Sequence, residues 1–166
     1  MADQKISILG VTIAISFILN GVGVFTPAWI VDTASARGYS ISASIGIVPY
    51  YTENPGWFQA ASILMFTSFA LFIIMALNFL IIFHRVHQSG YSCGMRKRFH
   101  SLALAAVFII GNTITAVILI GVNETAFNTG IETFTLGYSA WLCVVSAAIS
   151  VGTLGLSLHI ATKDCH

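Results

Sequence analysis

Charge is what this chain lacks most. Asp, Glu, Lys and Arg together make up 8% of its 166 residues, and hydrophobic residues make up 57%; a soluble domain carries about 25% charged residues. So few ionisable groups cannot wet the surface of a globular domain, which excludes an ordinary soluble fold and leaves a membrane protein. Cysteine is scarce as well, limited to Cys93, Cys143 and Cys165. A Ser/His/Asp set, a Gly-rich phosphate loop, a Cys-x-x-Cys pair and a metal-ligand cluster are all missing from the sequence, so neither an enzyme nor a bound cofactor is expected. His84 and His87 are the nearest approach to a metal pair, and they lack further ligands. No nucleic-acid partner is expected either.

What the chain has is four uncharged runs: Ile6 to Val31, Trp57 to Phe83, Ser101 to Asn123 and Thr133 to Thr162. Each reaches the roughly 20 residues that a helix needs to cross a bilayer, and only helices or closed barrels satisfy their backbone groups there. Four spans are predicted, at about 6–25, 57–83, 101–122 and 136–160, in one membrane domain covering residues 1–166. No Asp, Glu, Lys or Arg lies within a span, which speaks against a proton relay or ion-coupled transporter.

Charge also orients the chain. Lys5, Arg85, Arg96, Lys97, Arg98 and Lys163 fall on one side of a four-span arrangement and Arg37 alone on the other. The positive-inside rule then puts both termini and the loop 84–100 in the cytoplasm. The outer loops are 26–56 and 123–135, and none of the cysteines lies in either; no outer disulfide can form. A cleaved signal peptide ending near Gly21-Val22-Gly23 is the alternative reading of the first run.

Within the first outer loop Ile41, Ala43, Ile45 and Ile47 alternate with Ser40, Ser42, Ser44 and Gly46, the period of a half-buried strand. Trp29-Ile30-Val31 is a second extended candidate, with Arg37-Gly38 as the turn. A small sheet resting on the helices is expected. Trp29, Tyr50, Tyr51 and Trp57 stand where an outer aromatic belt belongs.

Inside the spans, Gly10, Ala14 and Gly21 share one face of the first helix, and Ser139, Cys143, Ala147 and Ser150 run along one side of the fourth. Small residues let helices approach closely, within the bundle or against a partner. Asn78 and Asn112, the latter near Gly111 and Thr115, are expected to hydrogen-bond across helices. Asn123-Glu124-Thr125 is a glycosylation sequon on the outer side. Cys93 and Cys165 are candidates for palmitoylation, and the basic loop for contact with anionic headgroups.

Short motifs then suggest a family. Thr26-Pro27-Ala28-Trp29 resembles the start of a claudin first loop, with Trp29 matching its first tryptophan. Pro55-Gly56-Trp57-Phe58-Gln59-Ala60-Ala61-Ser62-Ile63-Leu64-Met65 is similar to the start of the claudin second span. Leu136-Gly137-Tyr138-Ser139 and Trp141 resemble the start of the fourth. The chain thus resembles the claudin superfamily, which includes the peripheral myelin and epithelial membrane proteins and the transmembrane auxiliary subunits of ion channels. It departs from the pattern in three places: Gly46-Ile47-Val48 stands where Gly-Leu-Trp would be, the two first-loop cysteines are absent, and Ser62 replaces an arginine.

The resemblance implies a mainly α membrane protein, a four-transmembrane-helix bundle with a small extracellular β-sheet formed mostly by the first outer loop. It implies a non-enzymatic interaction protein of the plasma membrane. Its partners would be membrane lipid and either a larger membrane protein, such as a channel or receptor that it accompanies as an auxiliary subunit, or the same protein on a neighbouring cell. The missing disulfide and the short tail Thr162-Lys163-Asp164-Cys165-His166 favour the auxiliary role over the junction role; a small channel or transporter in its own right ranks third.

Overall fold

The computed structural model describes residues 2–36, 39–90, 93–123 and 132–163. Four long helices carry most of them: α1 (Ala2–Phe25), α2 (Gly56–Ser89), α3 (Arg96–Asn123) and α4 (Tyr138–Lys163). Among the described residues, these four are long and apolar enough to cross a membrane. A single 3-10 turn, Cys93–Met95, leads into α3. The helices form a ring in which α1 packs on α2 and α4, and α3 packs on the same two.

The polarity of the bundle is inverted relative to a protein in water. Ser16, Asn20, Ser68, Ser146, Thr153 and Ser157 are buried inside it, while Ile18, Ile74, Leu77, Leu104, Ile118 and Val122 face outward. Val122 is 68% exposed. In water such a surface would be a continuous sticky patch, whereas hydrocarbon imposes no penalty on it. Two interior hydroxyls bond to a neighbouring helix, Ser146 Oγ donating to the Ser16 carbonyl at 2.7 Å and Thr153 Oγ1 to Thr12 Oγ1 at 3.3 Å, whereas the hydroxyls of Ser16, Ser68 and Ser157 have no hydrogen-bond partner.

Two apolar clusters fill the ring. One, toward the Lys5 and Arg96 ends, joins Ile6, Leu9 and Ile13 to Phe72, Met75, Phe99 and Leu102. The other joins Val24, Trp29, Ile30 and Ile47 to Phe58, Met65, Ala116 and Ile120, and so fuses the outer sheet to the helix ends.

That sheet has three antiparallel strands in the order β2-β1-β3: β1 (Ile30–Ala36), β2 (Tyr39–Ile45) and β3 (Glu132–Leu136). Ile30 pairs with Ile45 on one side and Leu136 on the other. The hairpin turn expected at Arg37-Gly38 lies outside the described residues. β3 was not legible in the short second loop, and it makes the sheet a product of both outer loops.

Two further expectations are corrected. Ser42, Ala43, Ser44 and Ile45 are all exposed, so this stretch of β2 does not alternate between a buried and an exposed face; β2 is an edge strand, and the sheet meets the helices at its foot, through Ile30 and Leu136. Trp29 is fully buried and does not belong to an interfacial belt, unlike Tyr50 and Tyr51, which are exposed. Beyond the expected span, α2 continues past Phe83 to Ser89, and Val86 is still buried there, in the cluster with Met95 and Phe99.

Candidate functional site

The segment Thr26–Trp29 turns the chain from α1 into the sheet, and its polar groups all find partners on nearby elements. Trp29 Nε1 donates to the Gly23 carbonyl at 2.7 Å, anchoring the indole on the last turn of α1. Ser139, at the start of α4, receives the Ala28 amide on its hydroxyl at 3.2 Å and lies 2.7 Å from the Thr26 hydroxyl. The backbone closes the same junction: Trp29 N–H bonds to Ile45, Gly137 N–H to Trp29 and Ser139 N–H to Ala28. Gly46 completes it, since a Cβ there would stand 2.6 Å from Pro27 Cα. This interlock fixes the foot of the sheet with hydrogen bonds and a buried indole.

Gln59 has a comparable task on α2. Its Nε2 donates to the carbonyls of Thr52 at 2.8 Å and Asn54 at 2.6 Å, and its Oε1 accepts from the Tyr50 hydroxyl at 3.2 Å. The end of the first loop is thereby latched to the first turn of the helix. Ala61 is fully buried and Ala60 is exposed. Ser62 is buried and donates to the Phe58 carbonyl at 2.8 Å.

The small residues of α1 face α2: Gly10 lies under the Phe79 ring and Gly21 beside Phe69, while Ala14 is exposed at the margin of that seam. On α4, Ser139, Cys143, Ala147 and Ser150 are all buried. Cys143 Sγ lies against Gly23 and Asn20 of α1, and Ser150 Oγ donates to Ser146 in its own helix. Ala147 instead turns toward α3. Asn78 accepts from Arg98 of α3 at 3.4 Å, but Thr115 bonds within its own helix, to Gly111. Sequence reasoning missed Asn20, which is fully buried in α1 with neither end of its amide hydrogen-bonded.

Ala147 lines an apolar groove on the outer surface of the bundle. This groove, of about 280 Å³, runs between α3 and α4, with Ile110, Ile114 and Ile118 on one wall and Val144, Ala148 and Val151 on the other. Thr113 also lines it; its side chain is 1% exposed and its hydroxyl has no partner. Nothing in this groove can perform acid–base or nucleophilic chemistry. What it offers is shape and apolar contact, the Thr113 hydroxyl lying buried beneath its surface. Among the described residues, no group of three His, Cys, Asp or Glu is placed to hold a metal ion.

Comparison with known families bears on the whole chain. A family model described as tight junction protein, claudin-like, matches residues 1–166. The chain belongs to the claudin-like family. No curated protein matches it.

It is therefore a multi-pass, claudin-type membrane protein with a tetraspan bundle and a three-stranded outer sheet. Membership gives the short motifs their context. Trp29, Gly46 and Gln59 dock the sheet and loop on the helices. The remaining candidates lie at or beyond the margins of what is described. Asn123 ends α3 with its side-chain amide donating to Leu119 at 2.7 Å, while Thr125 of the sequon falls outside the described residues, as does Cys165. Cys93 opens the 3-10 turn before α3.

Proposed function

We propose that this claudin-like protein is a non-enzymatic auxiliary subunit of the plasma membrane, with both termini cytoplasmic, that packs laterally against a larger membrane protein such as a channel or receptor. The α3–α4 groove carries this reading. Helix association in hydrocarbon depends on close packing and interhelical hydrogen bonds, not on a hydrophobic drive. The groove supplies the first of these: its surface is wholly apolar, and Ala147 and Ala148 leave room for a guest helix to approach closely.

Photo-cross-linking tests this directly. A benzophenone side chain at Val151, in the groove, should give an adduct of one defined larger mass in native cells, while the same probe at Ile15 on α1 should not. Equal yields from both positions, or an adduct only at the mass of a dimer, would sink the proposal.

The description of the matching family is also compatible with a second reading, in which the protein is a junction component whose outer sheet meets the same protein on a neighbouring cell. The exposed edge strand β2 is the surface available for it. Mixed cultures in which only one cell of a contacting pair expresses the protein separate the two: a junction component accumulates only where both cells express it.

A further inference from the structure

The seam between α1 and α2 is the sparsest of the four helix seams in the ring, and it is furrowed along the half of its length nearest Lys5 and Arg85. At the end of the furrow a cavity of about 330 Å³ is lined by Ile6, Ser7, Phe83, Val86 and His87. Directly deeper along the same two helices, a second cavity of about 220 Å³ is lined by residues including Gly10, Ala14, Phe17, Phe79 and Leu80. Ile6 and Val86 are buried and form the floor of the mouth; Ser7 and His87 are exposed at its rim. The His87 ring stacks on Phe83 with centroids 6.5 Å apart, which fixes the imidazole beside the opening.

The furrow is therefore polar at one end and apolar beyond it. From Ser7 to Phe17 it follows α1 for roughly ten residues, about 15 Å, half of the roughly 30 Å hydrocarbon core. That is the depth of one leaflet. Its mouth lies at the cation-rich end of the bundle: Lys5 and Arg85 are within a turn of it, and Arg96, Lys97, Arg98 and Lys163 share that end. The acidic residues at this end are Asp3 and Asp164, while Asp32, Glu53, Glu124 and Glu132 belong to the other.

We propose that this furrow is a site for an anionic glycerophospholipid of the adjoining leaflet, with one acyl chain in the α1–α2 seam and the phosphate at Ser7 and His87. The serine hydroxyl and the imidazole N–H donate to phosphate oxygens. The surrounding cations select a headgroup with net negative charge over a zwitterionic one. The site is on the far side of the bundle from the α3–α4 groove, so it stands or falls separately from the lateral packing proposed above.

The test is native mass spectrometry of the full chain, purified and delipidated in mild detergent and titrated with dioleoyl phosphatidylserine or dioleoyl phosphatidylcholine. The first phosphatidylserine should bind at least about fivefold more tightly, the factor given by about one basic residue near the headgroup. His87→Glu, at an exposed position, should remove that preference. Ala14→Leu, which fills the deeper cavity, should weaken both lipids. Ala148→Leu, in the other groove, should change neither. Equal affinity for the two lipids in the parent protein, or retained selectivity in His87→Glu, would overturn the proposal, as would loss of selectivity in Ala148→Leu.

Discussion

Replacing Trp29 is the sharpest test of how the outer sheet is held. The indole is fully buried where α1, β1 and the start of α4 meet, and its N–H donates to the Gly23 carbonyl at 2.7 Å. Trp29→Ala removes the apolar contacts and leaves a cavity, a change that costs about 3–5 kcal/mol in well-packed cores. For a chain of this size each kcal/mol lowers Tm by about 2–4 °C, so a fall of about 6–20 °C is expected. Trp29→Phe keeps most of the packing but strands the Gly23 carbonyl, at about 1–3 kcal/mol and thus about 2–12 °C. Trp141, 60% exposed, is the control, because surface changes stay within about 0.5 kcal/mol. Thermal unfolding of the purified protein in mild detergent, followed by circular dichroism, compares the three variants. If Trp29→Ala melts within about 2 °C of the parent, or no lower than Trp141→Ala, the indole does not anchor the sheet and the reasoning fails.

Other expectations follow from the same junction. Gly46→Ala should destabilise by about 1–3 kcal/mol, as overpacking against the Pro27 backbone does, whereas Gly152→Ala, inside α4 with open space around it, should stabilise by about 0.5–1 kcal/mol through helix propensity; a loss of stability at both positions, or at neither, would contradict the close approach at Gly46. Reducing agent should not move the thermal transition, since the outer loops contain no cysteine, and a reduction-sensitive Tm would refute that account of the sheet. Gln59→Ala should release the end of the first loop and speed limited proteolysis between Tyr50 and Gly56 severalfold, with a cleavage rate equal to that of the parent counting against the latch.

Much of the bundle was legible because hydrocarbon leaves few choices. An uncharged run longer than the membrane is thick must be helical, and α1 through α4 each contain one. Charge shows where an uncharged run stops and not where a helix stops, and α2 continues past Arg85 to Ser89. Alternation in 40–47 located β2, but its half-buried character did not follow, because alternation records what a strand could bury and not how far it stands from the helices. β3 was invisible for a different reason: its partner Ile30 is about a hundred residues away from Leu136, and pairing at that separation leaves no local period.

The site residues divide along the same line. Trp29, Gly46 and Gln59 were singled out by resemblance, and geometry supplies the reason each suits its position: an indole bonded to α1, a contact without room for a Cβ, and an amide bridging two loop carbonyls. Trp29 was also read as an interfacial aromatic, which composition and position could not distinguish from a buried anchor. Asn20 was missed because a single amide in an apolar run gives no pattern, although its complete burial makes it the most costly polar side chain in α1 to leave unpaired. The α3–α4 groove was beyond sequence reasoning altogether, since it arises from the spacing of two helices whose faces look equally apolar.

The central claim is that this claudin-like protein acts by lateral packing through that groove. Its most direct test is quantitative co-purification of the tagged protein from native tissue in mild detergent, alongside Ala148→Trp, which fills the groove. The account predicts one larger membrane protein recovered in fixed ratio with the parent and depleted at least tenfold with the variant, both being equally stable. Recovery of the parent alone or as a homo-oligomer, with the protein concentrated at cell contacts, would contradict it and establish the junction role in its place.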